Sequence, residues 1–322
     1  MITLMALVLT RIANTWVFMR QSFVVIRSYG PLVVLPVISC IFCFLVSTIV
    51  LAGGALVFDI PIRTSEFAPL PAQVSASAVQ RLMLEADLLL GSGDGSAQRR
   101  RAEYVWLLLL LFYVANYCVI VYFNVAFASI VLDRMAGGHA TLDDGLQIAW
   151  ARRYSVLQWA LLAATVGVLL KMIRERSEIE AWIAGALGYI WRLATYFVMP
   201  LLALEDVRPG EALYRSAAIL KRKWGEVIVA GFSFPLLFVV LAVPGVALIF
   251  IAGYLGQTFG FAATLLLSYW LLLAVIVFTT ERVFCVALYR YATEDRVSNG
   301  FSRTDLASAW EGLAPLPAGQ AL

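Results

Sequence analysis

Apolar residues run along this chain in tracts too long for the interior of a soluble domain. Residues 31–58, 104–132, 182–204, 227–254 and 259–288 each supply the run of about 20 residues that crosses roughly 30 Å of hydrocarbon. A sixth tract, 154–170, is shorter. Tyr104, Trp106, Tyr154, Trp159, Trp182, Trp224, Tyr254 and Tyr289 stand near the tract ends, where amphipathic rings settle at the membrane–water boundary. The pattern predicts an all-α, polytopic membrane helical bundle of six transmembrane helices, a single integral domain over 1–322.

Between the tracts the periodicity changes. Ile12, Trp16, Met19, Phe23 and Ile26 recur at helical spacing, as do Leu142, Leu146, Ala149 and Trp150, and again Leu213, Ala217, Leu220 and Trp224. These predict amphipathic helices over about 8–28, 141–153 and 209–224. Thr141 with Asp144 three residues on reads as a capping pair for the second, and Pro209-Gly210 precedes the third. Each stretch closes on basic residues, an aromatic and a small residue before a span begins. The three copies are Arg27-Ser28-Tyr29-Gly30, Arg152-Arg153-Tyr154-Ser155 and Arg222-Lys223-Trp224-Gly225. Such helices lie in the interface with Arg and Lys near anionic headgroups, while the Gly or Ser leaves room for the chain to turn into the bilayer. The architecture then reads as three units, each an interfacial helix followed by two spans.

Composition agrees. Of 322 residues, 62% are hydrophobic and 14% charged, against about 45–50% and about 25% in soluble domains, and mean hydropathy is +0.86. The surplus apolar surface must face lipid. Net charge is only +3, with no continuous basic stripe, so nucleic acid is not an expected partner. Placing both ends in the cytoplasm puts about twice as many Lys and Arg on the cytoplasmic side as opposite, the expected bias. Arg99-Arg100-Arg101, beside the second span on the outer side, runs against it. The loop 59–102 is the only sizeable extramembrane segment, and its Val79, Leu82, Met83, Ala86 and Leu90 fit a short helix resting on the bilayer. Residues 1–10 lack a basic region before the apolar stretch, so no cleaved leader is expected.

Several stretches resemble a bacterial family of six-span membrane proteins known only as a domain of unknown function. They are Asn116-Tyr-Cys-Val-Ile-Val-Tyr-Phe-Asn124, Gly137-Gly138 with Asp143-Asp144-Gly145-Leu146, and Ala194-Thr-Tyr-Phe-Val-Met-Pro200. Glu211-Ala-Leu-Tyr-Arg-Ser216 through Trp224-Gly225 and Ala287-Leu-Tyr-Arg-Tyr-Ala292 complete the likeness, which spans nearly the whole chain except 59–102. The helix-plus-two-spans layout is also similar to the membrane domain attached to some glycerophosphodiester phosphodiesterases, without their catalytic barrel. The resemblance implies the six-span fold and a bacterial inner membrane, and it implies no activity.

Polar residues inside the tracts are the functional candidates, because an ionised group at mid-bilayer costs at least about 2.5–3.5 kcal/mol. Arg192 sits near the middle of the fourth span, and Glu281, beside Arg282 in the sixth, is its first candidate partner. Asn116 and Asn124, eight residues apart, fall near one face of the second span as interhelical glue or the lining of a path. Cys40-x-x-Cys43 has redox spacing but wholly apolar neighbours, and Asp143-Asp144 is explained by helix capping. With one histidine, His139, no phosphate-binding glycine loop and no nucleophile beside a base, no catalytic, cofactor or metal site is expected. The expected role is therefore non-enzymatic: organisation of the envelope or membership of a membrane assembly, with a protein partner or a second copy. The alternative is a carrier of a small or lipidic substrate.

Overall fold

The computed structural model describes residues 16, 18–57, 95–174, 178–222, 237–247, 250, 254 and 259–294. Among these the only regular secondary structure is helix, with no strand. A first helix, α1 (18–28), leads through a 3₁₀ turn, Gly30–Val33, into α2, Val34–Val57. Then come α3, Gly95–Met135; α4, Leu142–Ala151; α5, Arg153–Arg174; α6, Glu178–Ala194; α7, Val198–Leu204; and α8, Pro209–Arg222. A short helix α9, Leu237–Ala247, and the long α10, Phe259–Glu294, complete the described chain.

Five stretches are long and apolar enough to cross a membrane: Gly30–Gly54, Leu107–Met135, Arg153–Arg174, Trp182–Leu204 and Ala263–Glu294. Of the expected span 227–254, α9 is the described core, shorter than a crossing requires. It packs on α10, where Tyr269 donates to the Leu241 carbonyl at 2.5 Å and the Trp270 indole to Ala242 at 3.3 Å. The loop 59–94, the third elbow's Trp224 and Gly225, and most of residues 1–17 fall outside the described residues. The second span differs from expectation in length: α3 begins at Gly95, so Arg99–Arg101 ride on the helix itself rather than on a preceding loop.

Packing is concentrated at one end of the bundle. The C-terminal part of α3 (Val125, Ala126, Ile130, Val131) is sealed, as are Leu32, Phe197, Leu202, Phe284 and Leu288. Phe18 of α1 meets Phe284 of α10 at 4.8 Å between ring centres, so the first helix closes against the last. The opposite ends of the spans expose Phe44, Ile49, Leu107, Trp182, Leu267 and Leu271. That surface suits lipid, which solvates Leu as well as protein does; association inside a bilayer depends instead on close approach and hydrogen bonds.

Close approach is visible between α3 and α4. A Cβ on Gly145 would fall 2.5 Å from the Ile130 side chain and 2.8 Å from the Ala126 carbonyl, so only glycine lets the helices touch here. Ala149, one turn on, is fully buried, and Tyr122 donates across to the Leu146 carbonyl at 3.1 Å. The turn before α4 is equally constrained. Gly137 takes φ +91°, a left-handed conformation that favours glycine, and Asp133 crowds the position of a Cβ on Gly138. Thr141 and Asp144 form the reciprocal capping box anticipated above.

Two expectations follow. Gly145→Val should lower the thermal unfolding midpoint in detergent, by an overpacking penalty of about 1–3 kcal/mol. Gly53→Ala, where an added Cβ meets nothing within 4 Å, should leave it unchanged or raised. The hydrogen bonds of Asp144 from the Thr141 backbone and hydroxyl hold its carboxyl below the ordinary 3.8. Its stabilising effect is present above 3.8 and fades as pH falls through the lower folded-state value. Asp144→Asn should therefore remove an acid-sensitive component of α4 order, read by hydrogen exchange of residues 142–146, and an unchanged pH profile would refute the assignment.

Candidate functional site

The fourth span is interrupted. Helix α6 stops at Ala194, residues 195–197 form a turn, and α7 restarts at Val198. Pro200 causes this: it has no N–H to give the Tyr196 carbonyl four residues back, and its ring would strike that carbonyl in a continuous helix. In the first turn of a new helix the missing N–H costs nothing. The freed backbone groups are taken up by side chains from other elements. The Tyr196 carbonyl accepts the Cys285 thiol of α10 at 3.2 Å, and the Phe197 N–H donates to Ser216 Oγ of α8 at 3.1 Å. Thr195 Oγ1 turns back to the carbonyls of Trp191 (2.9 Å) and Arg192 (3.3 Å). Phe197 and Ser216 are both fully buried, so these bonds replace water that cannot reach the break.

Ionisable groups gather around this break. Arg192 lies one turn before it, roughly 15 Å along α6 from Trp182. Glu281 of α10 lies within the electrostatic reach of both Arg282 and Arg192. No ion pair closes within 4 Å between Arg192 and Glu281, so the expected partnership is one of field rather than contact; among the described residues Arg192 forms no ion pair, and it is exposed on the bundle surface. Arg282 stacks its guanidinium 4.9 Å from the Phe278 ring centre while its buried Nε finds no acceptor. The Tyr196 hydroxyl, in the field of Glu281 and Arg282, is likewise buried and unpartnered. The structure thus assembles Arg192, Tyr196, Glu281 and Arg282 around one backbone break. Tyr196 and Pro200 escaped the sequence reading as site residues, although a proline inside an apolar tract was the available signal.

The asparagines lie elsewhere. Asn116 Oδ1 accepts from Ser47 Oγ of α2 at 3.2 Å and its Nδ2 donates to Phe112 of its own helix at 2.9 Å. Asn124 turns back on Ile120 at 2.8 Å. The first therefore ties two spans together, while the second serves its own helix. Cys40, Cys43, Cys118 and Cys285 are all free thiols, and among the described residues no three His, Cys, Asp or Glu side chains group to hold a metal.

The two described elbows have unlike surroundings. Tyr29 is half-buried: Arg134 stacks 4.1 Å from its ring centre, and its hydroxyl accepts the Leu142 N–H that opens α4 at 3.0 Å. Gly30 is open on all sides. In the second elbow Ser155 donates to Asp206 at 2.9 Å, with Arg152 3.7 Å from the same carboxylate and bonded to the Leu204 carbonyl at 3.1 Å. Tyr154 and Trp150 stay exposed, with Arg153 stacked 4.6 Å and 5.6 Å from their ring centres. Each elbow therefore locks onto the chain entering the next amphipathic helix, one at Leu142 before α4 and the other at Leu204–Asp206 before α8. Arg215 of α8 adds ion pairs to Glu205 and, at 2.5 Å, to Glu211.

These features define a multi-span helical membrane protein with a polar, interrupted span at its core. The chain belongs to a family of unknown function (DUF6159), whose model matches residues 103–301, from the second span onward. No curated protein and no solved structure matches it.

Ser216→Ala should strand the Phe197 N–H and cost about 1–3 kcal/mol, seen as a lower unfolding midpoint in detergent. Cys285→Ser, which keeps a donor for the Tyr196 carbonyl, should lose less than Cys285→Val. Equal losses would show that packing alone matters at that position.

Proposed function

We propose that this chain is a non-enzymatic membrane protein that binds a small or lipidic ligand at the interrupted fourth span, as a carrier would. One observation carries the reading: a mid-span arginine without an ion pair stands beside a broken helix whose neighbours include unpartnered buried polar atoms. Irregular backbone at membrane depth is tolerated where it is enclosed by protein or lines a cavity, and membrane carriers place their binding sites at such breaks. A charged side chain there is kept against its insertion cost when something else compensates it.

Within this reading the protein sits in a bacterial inner membrane with both ends in the cytoplasm. The tract that contains α9 counts as its fifth span of six, and the three helix-plus-two-spans units share one interfacial face. Support comes from the two described elbows, which lie at the same end of the bundle, and from the Lys and Arg bias. The exposed Trp150, Arg153 and Tyr154 fit contact with anionic headgroups at that face.

A second reading is membership of a membrane assembly or a role in organising the envelope. The exposure of Arg192 favours it, because an acidic residue of a neighbouring protein's span would serve as counter-charge equally well.

Extraction in mild detergent followed by native mass spectrometry separates the two. The carrier reading expects a small molecule or lipid retained at one per chain, and its loss in Tyr196→Phe combined with Arg192→Met. A stoichiometric protein neighbour with no retained ligand would transfer the argument to the second reading.

A further inference from the structure

The charges around the break do not balance. Arg192 and Arg282 bring two cations, and Glu281, the one carboxylate, lies within the field of each. One positive charge is left at membrane depth. Two polar donors there, Arg282 Nε and the Tyr196 hydroxyl, are buried without a partner. A carboxylate accepts hydrogen bonds but gives none, so Glu281 cannot be matched by another neutral acceptor without leaving the excess charge in place. What the cluster lacks is one negative charge with several acceptor lone pairs.

The face that carries Arg192 also has room. Gly188 and Gly185 stand four and seven residues before it, on the same side of α6. A Cβ at Gly185 would meet nothing within 4 Å, and one at Gly188 would meet only Leu170, at 3.7 Å. The α6 surface beside the arginine is therefore open at Gly188 and Gly185, toward the Trp182 end.

We propose that the cluster of Arg192, Arg282 and Tyr196 binds the singly charged headgroup of an amphiphile, a carboxylate or a phosphodiester, whose chain lies on the open surface at Gly185 and Gly188. The assignment rests on the ligand-binding reading above and names its substrate class. Guanidinium groups pair with either headgroup through charge-assisted hydrogen bonds, and the tyrosine hydroxyl adds a donor. Glu281 sets the selectivity for one negative charge rather than two, because a dianion would meet its carboxylate.

The test uses the purified full chain in phosphatidylcholine nanodiscs, with spin-labelled stearate (at alkaline pH, where it is ionised), phosphatidylglycerol and phosphatidylcholine as probes. The expected result is immobilisation of both anionic probes roughly tenfold more tightly than phosphatidylcholine. Arg192→Met should abolish that preference and Arg192→Lys restore part of it. Gly185→Leu, which has space to fold normally, should weaken both anionic probes by filling that surface. Matching circular dichroism and elution between wild type and each variant secures the comparison. Equal binding of all three probes, or a preference that survives Arg192→Met, overturns the proposal. So does displacement by free acetate or inorganic phosphate at concentrations comparable to the probe, which would make the site one for a soluble anion. If phosphatidylcholine binds as well as the anionic probes and Gly185→Leu removes it, the carrier reading stands and the headgroup assignment falls. If no probe is held beyond the general lipid shell, both fall together.

Discussion

Everything at the centre of this protein depends on one constraint: inside a bilayer each backbone N–H and C=O must find its partner within the protein. Unbroken helices meet it automatically. The fourth span does not, because Pro200 takes one donor out of the ladder, and the molecule is arranged around repairing that gap. Cys285 reaches the break from the last span and Ser216 from the third interfacial helix. Phe197, locked between them, then contacts Tyr289 at 6.2 Å. Three parts of the chain distant in sequence are drawn together by two orphaned backbone atoms, and the ionisable side chains follow because they sit within a turn or so of the same residues.

The same economy explains why packing is one-ended. Hydrophobic burial gives little advantage to helices already dissolved in lipid, so contact is stabilised where polar bonds and close approach are available. These occur toward the elbows: the tyrosine that opens α4, the serine and arginine that hold Asp206, and the glycine that lets α4 press on α3. Helices α4 and α8 are consequently clasps between the longer helices. Helix α1 is amphipathic in the same way. Its expected apolar face, with Trp16 and Phe23, is half exposed, while Phe18, Ser22 and Val25 pack inward.

Much of the architecture was legible in the residues because membrane spans and amphipathic helices are set by local composition and period. The capping box at Thr141 and Asp144 is local too, and appears where its spacing places it. Arg192 stood out for the cost of its charge in an apolar tract. Its relation to Glu281 was harder to anticipate: both helices place the residues at similar depth, yet the side chains stop short of an ion pair. The asparagines, Asn116 and Asn124, part company for a related reason. Eight residues apart, they share a face of α3 but not neighbours, since Ser47 is supplied to one and nothing comparable to the other.

Hydropathy and helical period, read along the chain, thus determined an all-helical membrane protein, the approximate positions of five apolar spans and the amphipathic helices between them. Each depends only on residues within a few turns of one another. Tertiary structure alone decided that a thiol and a serine mend the break that Pro200 imposes on the fourth span, and that Tyr196 and Arg282 gather with Glu281 near Arg192. Such juxtapositions unite positions some 20 to 90 residues apart, from Phe197–Ser216 to Tyr196–Cys285. No local period encodes them; they follow from which helices pack together and at what depth.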